Sequence, residues 1–212
     1  MLKDLAPVAL LASSANLMVV HPSVAANTVS EFIAYAGANP DKLAYGSGGA
    51  GGFTHLATLL FLQTNGLAAL HVPYKGAAPA NLDLVAGRIQ FLISDVAAAL
   101  PLVKEKRIKA LAITSLRRAP RLPDVPTLAE TIPGFEIVNW YGLMVPATTP
   151  RPIVQRLNSE IVKALRDPDM MSRLVENGAL PLVSTVEEYE TYLRSEMERW
   201  SKVIKSAGVK VE

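Results

Sequence analysis

The sequence contains no cysteine. Disulfides, thiolate zinc sites and cysteine nucleophiles are therefore excluded together. An excess of one charge is missing too: 21 Lys+Arg stand against 19 Asp+Glu. A surplus of two is too small to point to nucleic acid or an anionic membrane as the main partner. The longest basic cluster, Arg117-Arg118 with Arg121, is broken by prolines and reads as a solvated loop. No run approaches the ~20 apolar residues of a membrane helix, because Ser13, Ser14 and Asn16 interrupt the best candidate. Direct membrane insertion is not expected. The three histidines, His21, His55 and His71, are widely spaced and form no HExxH pattern, so no metal site is expected. A Walker A lysine, an ordered carboxylate pair and a G-x-S-x-G elbow are likewise absent.

What is present is an apolar chain of middling length. Half of its 212 residues are hydrophobic. Such a composition builds a packed core, which excludes disorder as the overall state. The length suits one large domain or two small ones, at roughly 100–150 residues each. The opening Met1-Leu2-Lys3 with Leu5–Ala12 imitates a short signal peptide. Asp4 sits where such a peptide is positive, and Pro7 interrupts the apolar stretch. The reading preferred here is two strands, Val8–Ser13 and Leu17–His21, joined by a turn at Ser14-Ala15-Asn16.

Further along, strands and helices alternate. Thr28-x-x-Glu31 reads as a capping box opening a helix to Ala38. Strands are predicted at Leu43–Tyr45, Ala69–Val72, Ile89–Ser94 and Ile108–Thr114. Helices are predicted at Phe53–Asn65, Gly76–Ala86 and Val96–Lys104. Short apolar strands with helical crossovers imply a mostly parallel α/β sheet. A proline-rich stretch, Pro120–Pro133, looks like a crossing. Glu136–Val145 follows as a strand, then helices at Arg151–Leu165, from Asp167-Pro168 to Gly178, and after Thr185-x-x-Glu188. Ile153, Leu157, Ile161 and Leu165 form one stripe. Tyr189, Tyr192, Leu193, Met197, Trp200 and Ile204 form another, read as core-facing. The sequence after Ala119 offers too few strands to give these helices a sheet.

The strongest local feature is Tyr45-Gly46-Ser47-Gly48-Gly49-Ala50-Gly51-Gly52-Phe53. Gly46, Gly48 and Gly51 make a formal G-x-G-x-x-G after a strand and before a helix. About 20 residues on, where an acid should meet a ribose, stands His71-Val72-Pro73-Tyr74, so a dinucleotide cofactor is not expected. Two readings of the loop stay open. Its amides and the positive end of the Phe53 helix suit an anion, carboxylate or phosphate; or the glycines only make a turn. Lys75 and Asp95 follow two further strand ends, and ligands of open parallel sheets lie beyond such ends. Lys75 is either a cation facing an acid or a solvated charge. Asp95 is either a ligand partner or a helix N-cap. A Ser47/His55/Asp95 triad is weakened because His55 falls a turn inside its helix.

The stretch Leu43–Leu56 resembles the K-L-x-Y-x-S-x-G-x-G-S/T-x-x-H-L segment of the tripartite tricarboxylate transporter receptors, the Bug-type solute-binding proteins. His71–Gly76, Leu122–Thr127, Pro133–Glu136, Trp140–Leu143 and the tail Trp200–Gly208 also match, in order. Leu5–Leu11 matches an interior part of the family, which displaces the signal-peptide reading. The resemblance implies a type II periplasmic-binding-protein fold closing over a small carboxylate (dicarboxylate, tricarboxylate or amino acid). It implies a periplasmic receptor, not an enzyme, that serves the permease subunits of a membrane transporter. Residues 1–19 would be a crossing segment, 20–114 a complete lobe 2, and 115–212 the return crossing with the C-terminal part of lobe 1. On the order of a hundred family residues would precede the point matching Met1, so the chain is expected to be truncated. Carried over, Ser47, Gly49, Gly51, Gly52, Phe53 and Thr54 would bind a carboxylate through amides and hydroxyls. Tyr74, Lys75, Gly76 and Ala77 would line the same cleft, and Asp95 would help select the rest of the ligand. Gly52 stands where the family has Ser or Thr, which puts one hydroxyl contact and a helix cap in doubt. The alternative is an α/β enzyme that uses Gly46–Gly52 for a phosphate-bearing substrate or cofactor.

Overall fold

The computed structural model describes residues 3–40, 42–119 and 122–208. Arg121 of the basic cluster and Pro120 lie outside the described residues. Contacts divide the chain into two compact units: 3–14 with 139–201, and 15–138 with 202–208.

Strand β1 runs unbroken over Leu5–Val20, where the sequence predicts two strands and a turn. Ser14-Ala15-Asn16 does not turn because each half of the strand has its own ladder. Ala12–Ser14 pair antiparallel with a short strand at Ala179–Pro181. Asn16–Val20 pair with a neighbour on one side and Leu17–Val20 with a neighbour on the other. None of the three residues forbids extended backbone, and the hydrogen bonds decide.

In the unit beginning at residue 15, helix α1 (Val29–Ala38) opens on Thr28, whose hydroxyl accepts from Glu31 N at 3.1 Å. The Glu31 carboxylate reaches Asn27 N at 2.6 Å, one residue beyond the expected partner. Then follow β2 (Ala44–Ser47), α2 (Phe53–Thr64), β3 (Leu70–Pro73), α3 (Ala77–Val85), β4 (Phe91–Asp95), α4 (Val96–Lys104) and β5 (Lys109–Ile113). The sheet order is β3-β2-β4-β1-β5. β2 lies parallel to β3 and β4, and β1 antiparallel to β4 and β5. Four strands thus share one direction, as the alternation predicts, and β1 alone opposes them.

Each face of this sheet has its own cover. Leu17, Val19 and Leu92 pack with Ala80 and Leu84 of α3 and Ala99 of α4. On the other face, Phe91 meets Phe32 of α1 edge-on at 4.9 Å between ring centroids, and Phe32 meets Phe61 of α2 at 6.1 Å. All three rings are fully buried, each worth about 2–3 kcal/mol of apolar transfer.

In the other unit, β6 (Val138–Pro146) and β7 (Ala179–Pro181) pair with β1. Helices α5 (Arg151–Leu165), α6 (Pro168–Glu176) and α7 (Val186–Ala207) follow the predicted bounds closely. β7 escapes prediction because three residues carry no periodicity. Thr185 and Glu188 form the expected capping box of α7, with bonds of 3.1 and 2.8 Å. Leu10 of β1, Tyr189 and Leu193 make a small core, with Trp140 and Tyr192 against it. The Glu196 carboxylate is 8% exposed and accepts from both indoles, Trp140 at 3.2 Å and Trp200 at 2.9 Å. Two expected stripes are only partly covered. Ile153, Leu157 and Met197 are exposed, while Val154, Leu165, Tyr189 and Leu193 are buried.

Gly142 lies against Tyr189, so that an added Cβ would stand 2.5 Å from its Cζ. Gly142→Ala is therefore expected to displace this fully buried ring and destabilise the protein by about 1–3 kcal/mol, read as a lower urea midpoint.

Candidate functional site

The carboxyl ends of β3, β2 and β4 lie side by side, since these strands are adjacent and parallel. Ser47, Pro73 and Asp95 are their last residues. The loops that carry the predicted site residues leave from this one edge. In an open α/β sheet, ligands sit beyond such an edge.

The glycine loop joins β2 to α2. Gly51 has φ 72°, a left-handed conformation that costs any side-chain-bearing residue. This lets its amide turn back to His55 Nδ1, at 3.0 Å. Gly48 N donates to Thr54 Oγ1 at 3.0 Å, Gly49 N to Ser47 Oγ at 3.3 Å and Gly52 N to Gly49 O at 3.3 Å. The amides at 48, 49, 51 and 52 are thus all engaged within the loop and the first turn of α2. Gly52 caps α2 with no side-chain bond, the consequence anticipated from its departure from Ser or Thr.

Ser47 is buried, and its hydroxyl bonds His71 Nε2 at 2.7 Å and Gly49 O at 3.1 Å. Its partner is therefore His71, not the His55 of the imagined triad. The rings of His55 and His71 stack at 3.7 Å with planes 7° apart, and Tyr45 stacks on His71 at 4.9 Å. Burial holds both imidazoles below their ordinary range. His71 is pushed down to about 4, first by burial and then by the repulsion of a charged His55. Burial likewise lowers His55. The pair is neutral at neutral pH, which leaves His55 Nδ1 able to accept from Gly51. The spacing of 16 residues between the two histidines carried no signal of this contact. Among the described residues, no group of three His, Cys, Asp or Glu is arranged to hold a metal ion.

The second loop is tied to the first. Gly76 N donates to Gly48 O at 3.1 Å, and Tyr74 N to Ser47 O at 3.0 Å. Gly76 precedes α3 with φ 106°, again a backbone suited to glycine. The Tyr74 hydroxyl donates to Asp83 at 2.8 Å, and Arg88 holds the other oxygen of that carboxylate at 2.9 Å. Burial, then the bond to Asp83, pushes the phenol up to about 12. Tyr74 is thereby committed to α3. Lys75 is exposed and Ala77 is the first residue of α3. Asn81 and Ser94, both buried and unremarked in the sequence, join α3 to β4 through a 2.9 Å bond. Asp95 occupies the N-cap position of α4, yet its exposed carboxylate makes no capping bond.

The histidine stack gives a pH dependence. The unfolded imidazole takes a proton near its ordinary value of about 6.5, whereas folded His71 refuses it until about pH 4. The associated stability is complete above pH 6.5 and is lost as pH falls from there toward 4. The urea midpoint of the parent protein is expected to drop across this window by more than that of His71→Gln.

Residues 1–209 match the family model described as "Tripartite tricarboxylate transporter family receptor". A protein of Pseudomonas sp. (strain P51), named "UPF0065 protein in tcbD-tcbE intergenic region", is 40% identical over 204 residues. The match takes in 95% of this chain and 61% of that protein, so the chain spans about three-fifths of the relative's length. Among solved structures, "R. palustris Rpa4515 with adipate" is 36% identical with a TM-score of 0.81, covering 97% of this chain and 69% of that one. The periplasmic binding protein BugD is 29% identical with a TM-score of 0.77, covering 98% of this chain and 71% of its own.

Proposed function

The chain belongs to the tripartite tricarboxylate transporter receptor family, and on that premise we propose that it is a solute-binding receptor for a small carboxylate. The ligand class is a dicarboxylate, tricarboxylate or amino acid. Delivery is to the permease subunits of a membrane transporter, from the periplasm. The observation that carries this reading is the pair of loops fixed at one sheet edge, Gly48–Gly52 and Tyr74–Gly76, joined by the bond between Gly76 N and Gly48 O. The adipate in the R. palustris relative, a dicarboxylate, supports the ligand class. The unit beginning at residue 15 serves as lobe 2, and the other unit as part of lobe 1.

In this proposal the ligand carboxylate competes for the loop amides at Gly49, Gly51 and Gly52 and for the first turn of α2 at Phe53 and Thr54. Ser47 and Thr54 position the loop, since their hydroxyls already hold Gly49 and Gly48. Lys75 supplies the exposed positive charge, Tyr74, Gly76 and Ala77 shape the wall, and Asp95 faces the rest of the ligand. Replacing neutral acceptors by a carboxylate is favourable, because charge-assisted hydrogen bonds are about twice as strong as neutral ones.

The test is an NMR titration of the 212-residue chain with millimolar adipate, succinate, citrate, aspartate and glutamate. Amide shifts clustered at Gly48–Thr54 and Gly76 are expected with at least one acid. Silence across the whole panel overturns the reading. Gly51→Ala strains the left-handed turn by about 1 kcal/mol or more and is expected to weaken binding about fivefold or more.

A further inference from the structure

Asn16 sits in β1 opposite Asp95 of β4. Its backbone is pinned on the β5 side: Asn16 N donates to Thr114 Oγ1 and Thr114 N to Asn16 O, each at 2.9 Å. Its side chain is fully buried, and among the described residues neither Nδ2 nor Oδ1 has a hydrogen-bond partner. An unpaired buried polar group costs about 1–3 kcal/mol, and native structures keep few of them. The side chain's face is fixed by strand alternation. Ala15, Leu17 and Val19 pack on the aliphatic cluster under α3 and α4, so Asn16 points to the opposite face. Asp95, its register partner, shares that face, which is the one α2 covers.

Along the sheet edge the order is therefore glycine loop on β2, Asp95 on β4, then Asn16 on β1. Two strand spacings separate the loop from Asn16, about 10 Å. A hydrogen bond of about 3 Å at each end leaves roughly 4 Å, the reach of a short acid. The exposed Asp95 marks the way in from solvent. A ligand carboxylate placed alone beside Asp95 would be repelled. A ligand group that donates would not be, and Asn16 adds a second acceptor, Oδ1, together with a donor, Nδ2, for a neighbouring carboxylate oxygen.

We propose that Asn16 is a specificity-determining residue of this site, reading a hydroxyl or ammonium carried beside a carboxylate of the ligand. The ligand class narrows to short 2-hydroxy or 2-amino dicarboxylic acids. This inference rests on the carboxylate-receptor reading above.

The test compares malate, aspartate and succinate on the parent chain and on Asn16→Leu, which keeps the bulk and removes both polar atoms. The parent is expected to bind malate or aspartate roughly tenfold or more tighter than succinate. In Asn16→Leu that ratio is expected to fall to about two or less, with succinate losing less affinity than malate or aspartate and the urea midpoint equal or higher. Preference for malate identifies a hydroxyl, and preference for aspartate an ammonium. The Asn16 side-chain amide resonances of the parent, expected to shift with the preferred acid and not with succinate, give the same answer without substitution. An unchanged ratio in Asn16→Leu, or an equal loss for all three acids, overturns the role of Asn16 and leaves the receptor reading standing. If the parent binds none of these acids or the wider panel, the receptor reading falls and takes this inference with it.

Discussion

The insertion of β1 between β4 and β5 sets the register of the whole sheet edge. Its register with β4 is regular from Asn16 to Val20, while the ladder with β5 shifts between Met18 and Val19. A shift of one residue would turn Leu17 and Val19 out of the aliphatic cluster and drive Asn16 into it. The register that satisfies the core is thus the one that aligns Asn16, Asp95 and the glycine loop. Packing deep in the sheet and geometry at its edge are one constraint, imposed by a single antiparallel strand.

The loops at that edge are held by polar bonds of modest strength. Each neutral amide bond contributes about 1 kcal/mol net. Bonds of this size order Gly48–Gly52 on their own, and in the proposed binding mode an anion replaces them one at a time. The neutral state of His55 matters here, because a protonated Nδ1 could not accept from Gly51. Burial of the histidine stack therefore stabilises the resting shape of the loop, and His71 fixes the loop's start through Ser47. Neither histidine has to touch a ligand to matter to one.

Much of the fold was legible because its signals are local. The Thr185 capping box, the α4 bounds Val96–Lys104 and the α5 bounds Arg151–Leu165 follow from hydroxyls, prolines and helical spacing within a few residues. The strand–helix alternation placed the candidate loops on one edge. What escaped was set by distant partners. Ser14-Ala15-Asn16 reads as a turn until the strands beside it are known. His71 stands in the sequence only where a ribose-binding acid is missing and at the start of a family motif, and its contacts with Ser47 and His55 come from the fold. The expectation of open loop amides failed to count acceptors supplied by Ser47, Thr54 and His55, residues within the same motif.

The buried Glu196 carboxylate has a consequence for how this chain can be watched. Besides Arg199, its hydrogen-bond donors are the two tryptophans of the sequence, Trp140 and Trp200, and all these residues belong to the unit 139–201. Intrinsic indole fluorescence is therefore a local gauge of that unit, quenched or shifted in colour when the shared carboxylate lets go. Far-ultraviolet circular dichroism sums the helices of both units. Recording the two signals along one denaturation curve separates the melting of one unit from the melting of the whole, with no label added.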